Sequence, residues 1–305
     1  MSTIHVAACC DENYAPYALV MMLSALRASQ SSSLHFHFID CGLSELSVQR
    51  MVSAIQAEGG QVEFYQPNSE AYDDLPTHRY GGAVYHRINL PDYLPSSLKR
   101  VIYIDSDTLV VKGLQPLWSF DLEGKPLAAV ENFSPFACRD LGVSRDSYFN
   151  SGVLVIDLDA WRREGLHHQV NRYAREHAHK LQYVDQCSLN AVFVGRWAKL
   201  PAIWNQQSDI FKTISKYQSG CGYSAAELDN AAYEPGIVHF TGKKKPWLVL
   251  SFHPYKQRYR ELMAATPWQD QPAKDEGLRT RLRHLVSFRQ RYKARQRQAK
   301  IRLMD

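Results

Sequence analysis

The chain of 305 residues reads as an α/β fold built on a mainly parallel sheet. Three observations predict it. The chain opens with a βαβαβ alternation, its strands are apolar nearly throughout, as strands covered on both faces are, and acidic residues stand where strands end. Ile4 to Cys10 is the first strand, and Asp11-Glu12-Asn13 ends it. A helical pattern follows from Ala15 to about Ala28, with Pro16 in the first turn, where a missing N–H costs nothing. Leu34 to Asp40 is the second strand. Ser44 to Glu58 is a helix stopped by Gly59-Gly60, and Gln61 to Tyr65 is the third strand. Such units wind with right-handed crossovers, and their ligands gather beyond the carboxyl ends of the strands, where Asp11, Asn13, Asp105 and Asp107 fall.

The later elements are shorter. Residues 67–80, with Pro67, Asp73-Asp74 and Pro76, form a polar loop and a candidate lid. Arg100 to Ile104 is an apolar, β-branched strand, and Ser151 to Ile156 is another. Asp159 to His177 reads as one helix with Asp159 as its N-cap, Gln186 to Phe193 as a shorter helix, and Ile237 to Phe240 as a last strand. A polar junction from Pro267 to Gly277 separates a body, 1–270, from a basic tail, 271–305.

Composition narrows the class. Apolar residues make up 45% and charged residues 22%, as in ordinary globular proteins. Six cysteines without C-x-x-C spacing argue against a zinc framework or a disulfide scaffold and for free thiols. The start lacks a basic leader, and no run approaches the roughly 20 apolar residues that span a bilayer, so the expectation is a cytoplasmic protein. No Gly-x-Gly-x-x-Gly or Walker loop follows the first strand, which argues against a dinucleotide dehydrogenase and a P-loop enzyme. The net charge of +5 is carried by the end of the chain: residues 277–305 hold ten Lys or Arg and one acid, leaving the first 276 residues net negative.

The chemistry lies in two segments. The strand Arg100 to Ile104 runs into Asp105-Ser106-Asp107, two carboxylates one residue apart. A hard divalent cation takes one or two protein carboxylates and fills its other positions with water and substrate phosphates, so the pair points to a metal and a nucleotide diphosphate. A strand end with solvated turn residues is the bland alternative. His239-Phe240-Thr241-Gly242-Lys243-Lys244-Lys245 joins an imidazole, a permissive glycine and a cation cluster, a set suited to Mn²⁺ more than to Mg²⁺ and to phosphate. His35 and His37 alternate on one strand and read as strand packing, and Trp161, Trp197 and Trp204 read as core or pocket wall.

With these motifs in order, residues 4 to 260 resemble the family 8 glycosyltransferases, retaining enzymes of the type A (GT-A) nucleotide-sugar fold, especially bacterial lipopolysaccharide galactosyl- and glucosyltransferases. The resemblance implies uridine and ribose contacts from Cys9, Asp11 and Asn13, and a place near the donor sugar or diphosphate for Arg87 of Tyr85-His86-Arg87-Ile88. It implies metal ligation by Asp105, Asp107 and His239, with Ser106 between the carboxylates, and diphosphate contacts from Gly242 and Lys245. Asn150 and Gly152 of Phe149-Asn150-Ser151-Gly152, and Asp185-Gln186, would line the sugar pocket. Gln186 stands where the family keeps a glutamine under the anomeric carbon, a poor nucleophile, which favours same-face attack, and Asp185 is the rival nucleophile.

The implied activity is Mn²⁺-dependent α-transfer of galactose or glucose from its UDP carrier to a lipopolysaccharide or lipooligosaccharide core. Mg²⁺ is an alternative ion. Glu131 departs from the aspartate of the bacterial galactosyltransferases, and 134–145 offers no readable motif, so the glycan or glycolipid acceptor stays open. A glycogenin-like self-glucosylating protein and a non-catalytic nucleotide-sugar binding protein are the other readings. The tail interleaves arginines with Leu282, Leu285, Val286, Phe288 and Tyr292, a pattern for an anionic membrane surface on the inner face of the cytoplasmic membrane rather than for nucleic acid, with a solvated, disordered tail as the bland alternative.

Overall fold

The structure is a computed structural model and describes residues 3–68, 70–78 and 80–302. The described residues form β1 (Ile4–Cys10), β2 (Leu34–Asp40), β3 (Gln61–Tyr65), β4 (Arg100–Ile104), β5 (Thr108–Val110), β6 (Leu127–Glu131), β7 (Phe149–Asp157), β8 (Trp197–Lys199), β9 (Gln206–Gln207) and β10 (Ile237–His239). The central sheet has the order β3-β2-β1-β4-β7-β6-β8, and a small sheet has the order β5-β10-β9. From β3 to β4 all pairings are parallel. β7 runs antiparallel to both its neighbours, β4 and β6, an inversion that the apolar run of β7 did not reveal. From β1 the chain steps outward to β2 and β3, then returns to β4 on the other side of β1. This order reversal opens a crevice beyond Cys10 and Ile104.

Both faces of the sheet are covered. Helix α1 (Ala15–Ala28) buries twelve of its fourteen residues, from Ala15 to Leu26, between the main sheet and the small one. Helix α2 (Glu45–Ala57) begins at Ser44, whose hydroxyl accepts from Ser47 N at 3.2 Å. It ends at Gly59, with φ +77, and at Gly60, where a Cβ would lie 2.8 Å from Leu26 and 2.9 Å from Ile55. The other face is packed by the segment 82–93 and by helices from 158 to 193, with Trp161 fully buried.

Three local expectations change. The helix expected from Asp159 to His177 is two helices, Leu158–Glu164 and Leu166–Glu176, because Gly165 takes φ +61 between them. The N-cap is Asp157, whose carboxylate accepts from Ala160 N at 2.9 Å, and Asp159 sits in the first turn. The loop 67–80, of which residues 69 and 79 lie outside the described set, is no free flap. Tyr72 and Leu75 are buried, Tyr72 Oη donates to Asn171 at 3.0 Å and Arg175 reaches Asp74 at 3.0 Å.

The tail forms helices Leu278–Leu285 and Phe288–Arg302, and its residues 303–305 lie outside the described set. Its far end is docked: Ile301 is buried and Lys300 meets Asp229 at 3.0 Å. Its near end is bare, with Leu278, Leu282, Leu285, Val286, Phe288 and Tyr292 all exposed. Among the described residues no helix is long and apolar enough to cross a membrane.

Candidate active site

The crevice is a cleft of about 550 Å³ walled by the ends of β1, β4, β7 and β10. Asp105 and Asp107 enter from the turn after β4, and His239 enters from the end of β10. The antiparallel pairing of β10 with β5 sets His239 opposite Thr108. The ligand atoms of Asp105, Asp107 and His239 lie within 4.8 Å of one another, with His239 Nε2 3.2 Å from Asp107 Oδ1 and 3.7 Å from Asp105 Oδ2. His239 Nδ1 donates to Asn205 Oδ1 at 2.9 Å, which leaves the Nε2 lone pair facing the carboxylates.

Two carboxylates and one imidazole form a donor set suited to Mn²⁺. The local backbone is fitted to it as well. A Cβ on Gly152 would fall 2.2 Å from His239 Cε1 and 2.6 Å from Asp105 Oδ2. Gly152 lies in a bulged stretch of β7, where the partner of Val130 jumps to Asn150, and its carbonyl accepts from Asp105 N at 2.8 Å. The glycine is therefore a requirement of the trio rather than of the strand.

Charge around the trio is ordered by Lys245 and Arg87. Lys245 Nζ bonds Asp107 Oδ2 and donates to Phe240 O at 2.8 Å. Burial alone would push Asp107 up, but Lys245 and His239 beside it hold its carboxyl far below the usual carboxylate range. Arg87 is 3% exposed and bridges two acids, Nη1 to Asp105 at 3.0 Å and Nε to Asp185 at 3.1 Å. Nη1 also donates to Ser151 O at 2.8 Å, and the guanidinium lies over the Tyr103 ring. Arg87 thus holds carboxylates in place with Nε and Nη1. Asp185 is pushed up to about 6 by burial, with Arg87 opposing.

Gln186 is equally constrained. Its Oε1 accepts from Asn150 Nδ2 at 3.0 Å and Ser151 N at 3.2 Å, which occupies both lone pairs of the amide oxygen. Asn150 Oδ1 in turn accepts from Asn205 Nδ2 at 2.9 Å, so Gln186, Asn150 and Asn205, the partner of His239 Nδ1, form one network. Entry to the helix Asp185–Phe193 that carries Gln186 is strained: Val184, a β-branched residue, holds φ 43, a conformation costing on the order of 1–3 kcal/mol.

The other predicted residues divide by position. Cys9, Asp11, Ser106, Gly242 and Lys245 line the cleft, while Gly152 backs it and Asn13 is exposed, its Nδ2 3.4 Å from Asp11 Oδ2. The Cys9 thiol is turned inward to Ala83 O and Tyr103 Oη, each at 3.2 Å, and burial pushes it up to about 11. Asp11 Oδ1 is shielded and has no hydrogen-bond partner among the described residues, an acceptor facing a site that expects a donor. Gly242 takes φ +84 with open space where a Cβ would stand.

Sequence reasoning missed Tyr14, Tyr103, Asn132, Tyr183, Gln207 and Asp209, which also line the cleft, and Asn205 behind it. Tyr103 looks like a core residue of an apolar strand, and the 205–209 stretch carries no pattern. Beyond Lys245, the ring of Trp247 stacks on Tyr17 at 3.6 Å and anchors the segment that bears Lys245. Glu131 points away from this chemistry. It is fully buried, bonded to Gly222 N at 2.7 Å and flanked by Arg145 and Lys199.

Comparison with known proteins agrees with this geometry. The chain is 30% identical over 272 residues to General stress protein A of Bacillus subtilis, covering 87% of this chain and 94% of that one. It is 24% identical to the lipopolysaccharide 1,2-glucosyltransferase of Escherichia coli K12, covering 95% of this chain and 84% of that one. The crystal structure of the galactosyltransferase LgtC, solved with donor and acceptor sugar analogues, superposes with a TM-score of 0.79 at 25% identity, covering 88% of this chain and 99% of that one. The fold is thus the GT-A fold of LgtC. The family model for glycosyl transferase family 8 matches residues 5–250, so this chain is a glycosyltransferase belonging to that family.

Proposed function

We propose that this glycosyltransferase is a retaining enzyme that moves galactose or glucose from a UDP-sugar to a lipopolysaccharide or lipooligosaccharide core, forming an α-linkage with Mn²⁺. The observation that carries the reading is the convergence of Asp105, Asp107 and His239 on a strand whose Gly152 leaves them room, beside the fixed cation Lys245. The names of the Escherichia coli relative and of LgtC support a hexose donor and a glycan acceptor.

The residues divide the work. Asp105, Asp107 and His239 would hold the Mn²⁺, which when bound supplies Lewis-acid stabilisation of the charge on a departing diphosphate. Lys245 offers a second cation to that charge, and Gly242 lets backbone approach it. Asp11 Oδ1 accepts from the base or ribose, with Cys9 and Asn13 near it in the chain and Ser106, whose hydroxyl donates to Cys9 O at 3.4 Å, on the same wall. Asp185 and Asn150 accept and donate to sugar hydroxyls, and pairing buried groups with hydroxyls is what rejects an analogue lacking one. Gln186, with both lone pairs of its oxygen already taken, shapes the pocket floor rather than attacking. Same-face attack then leaves the departing phosphate oxygen to take the acceptor proton.

The tail, 271–305, serves in this reading as a peripheral anchor on the inner face of the cytoplasmic membrane. Its exposed leucines, Val286 and Phe288 enter the interface among basic residues that contribute about 1 kcal/mol each near an anionic surface. Deletion of 277–305 should abolish binding to anionic vesicles, and unchanged binding would remove the anchor from the proposal.

The decisive experiment measures UDP release from a panel of UDP-sugars, with Mn²⁺ and with chelator. Slow, metal-dependent release from UDP-galactose or UDP-glucose, accelerated by core oligosaccharide, is expected. Binding without release from any donor, core oligosaccharide included, would overturn turnover and leave a nucleotide-sugar binding protein.

A further inference from the structure

Among the described residues, a second trio brings metal-type donor atoms within 4.8 Å of one another: His5, His35 and His37. It lies away from the cleft, at the starting ends of β1 and β2, where His5 pairs directly with His35 in the parallel register. At about 3.3 Å per residue, His5 and its partner His35 stand four steps, roughly 13 Å, before Cys9 at the cleft wall, and His37, in register with Ala7, stands two steps, roughly 7 Å, before it. His5 Nδ1 and His37 Nε2 stand 2.9 Å apart, and the rings of His35 and His37 stack at 4.5 Å. Stacked neutral imidazoles pack acceptably, but imidazole is the commonest protein ligand for metals, and three with converging nitrogens suit Zn²⁺ and its first-row neighbours.

A proton relay fixes the tautomer. Tyr65 Oη donates to Glu63 Oε2 at 2.6 Å, and a phenol has one proton to give, so its oxygen must accept from His37 Nδ1 at 2.9 Å. His37 therefore carries its proton on Nδ1 and presents the Nε2 lone pair to His5. With one proton on Nδ1 and a lone pair on Nε2, the ring is in the form that binds metals. A carboxylate-backed partner on the far nitrogen of a histidine is the arrangement that orients metal ligands. Glu63 also stands 3.8 Å from His35 Nε2, a ready carboxylate beside the imidazoles.

We propose that His5, His35 and His37 form a second, imidazole-built site for a first-row divalent cation of the Zn²⁺ type, clipping β1 to β2, with Tyr65 and Glu63 orienting His37. On binding, the single proton of His5, which Nδ1 donates to His37 Nε2, moves to His5 Nε2, and the freed Nδ1 lone pair takes the cation together with His37 Nε2.

The test uses the full chain carrying Asp105→Asn and Asp107→Asn, which disables the other trio, titrated with Co²⁺ and followed by its visible absorption, with Zn²⁺ as competitor. One equivalent should bind, Zn²⁺ should displace it, and Zn²⁺ should raise the melting temperature. Adding His35→Asn, a partly exposed position that a folded protein tolerates, should weaken binding at least about a hundredfold and cancel the rise in melting temperature, while Tyr65→Phe should weaken binding about tenfold to a hundredfold. No bound equivalent in the Asp105→Asn, Asp107→Asn protein, or an affinity indifferent to His35→Asn, overturns the proposal. In the otherwise unaltered chain, His35→Asn should leave UDP binding unchanged, which separates this site from the donor cleft.

Discussion

The carboxyl end of the central sheet, where β10 of the small sheet brings in His239, and its starting end carry two candidate metal sites with opposite company. At the carboxyl end, His239 faces Asp105 and Asp107, and its far nitrogen is held by the neutral amide of Asn205. At the starting end, His37 faces two other imidazoles, and its far nitrogen is held by a phenol tied to a carboxylate. In the first cluster negative charge is adjacent and the ligand set is oxygen-rich, the kind that leaves a hard ion room for substrate phosphates. In the second the negative charge sits mainly behind the ligands, and the set is nitrogen-rich and softer. The neighbours, more than the histidines, decide which ion and which chemistry each end can serve.

Removing charge from the oxygen-rich end should have the largest effect. Asp107→Asn discards one ligand and the partner of Lys245, and UDP release should fall about 10²- to 10³-fold with the fold intact by circular dichroism. A loss under tenfold would mean that Asp107 does not hold the ion. Gly152→Ala attacks the same trio without changing any charge. Its Cβ, 2.2 Å from His239 Cε1, must displace the ring or the strand, so Mn²⁺ affinity should drop about a hundredfold while UDP binding without metal survives. Unaltered Mn²⁺ affinity would show that His239 can move aside and stands outside the ligand set.

These two substitutions also mark what was legible. Asp105 and Asp107 were readable because a short-range signal, two carboxylates at the end of an apolar strand, coincides with a topological rule about where α/β sheets bind ligands. Gly152 was readable as a motif residue. Its reason, the approach of a side chain from β10, more than 80 residues later in the chain, exists only once the strands are paired. Asn205 and Tyr103 were invisible for the same cause: each acts through a partner distant in sequence. The histidines of β2 were dismissed as packing because alternation shows two of them sharing a face, but the third comes from β1 through the parallel register. The helix break at Gly165 was a local signal overlooked, since helical periodicity continues on both sides of it.

Acid should distinguish the cleft's two kinds of carboxylate. Asp107 is held far down and keeps its charge throughout the working range, whereas Asp185 is raised from 3.8 to about 6. If the ionised carboxylate accepts from a donor hydroxyl, kcat/KM should fall about tenfold per pH unit below that value, and Asp185→Asn should lower the plateau and erase this limb. The same shift has a stability sign. A folded-state value above the unfolded one means that stability from this group is complete below 3.8 and is lost as pH rises through about 6. An acid limb unchanged in Asp185→Asn would assign the titration elsewhere.

The smallest expected effect belongs to a carboxylate that shares the sheet but not the cleft. Glu131 ends β6, fully buried, and burial pushes its carboxyl up although Gly222 N, Lys199 and Arg145 pull the other way. Ionised, it therefore costs more in desolvation than its partners return. Glu131→Gln keeps an oxygen for Gly222 N–H and removes the desolvation cost together with the attraction to two cations. Buried ion pairs often recover little more than they cost, so the substitution should shift stability by only about 1 kcal/mol in urea unfolding, and UDP release should stay within about twofold. A collapse of turnover with the melt unchanged would instead place Glu131 in acceptor recognition, acting through the 134–145 segment that Arg145 ties to Phe133 O at 3.2 Å. The charge of a sheet carboxylate matters to this enzyme when it faces the cleft, and Glu131 is where that rule can be broken.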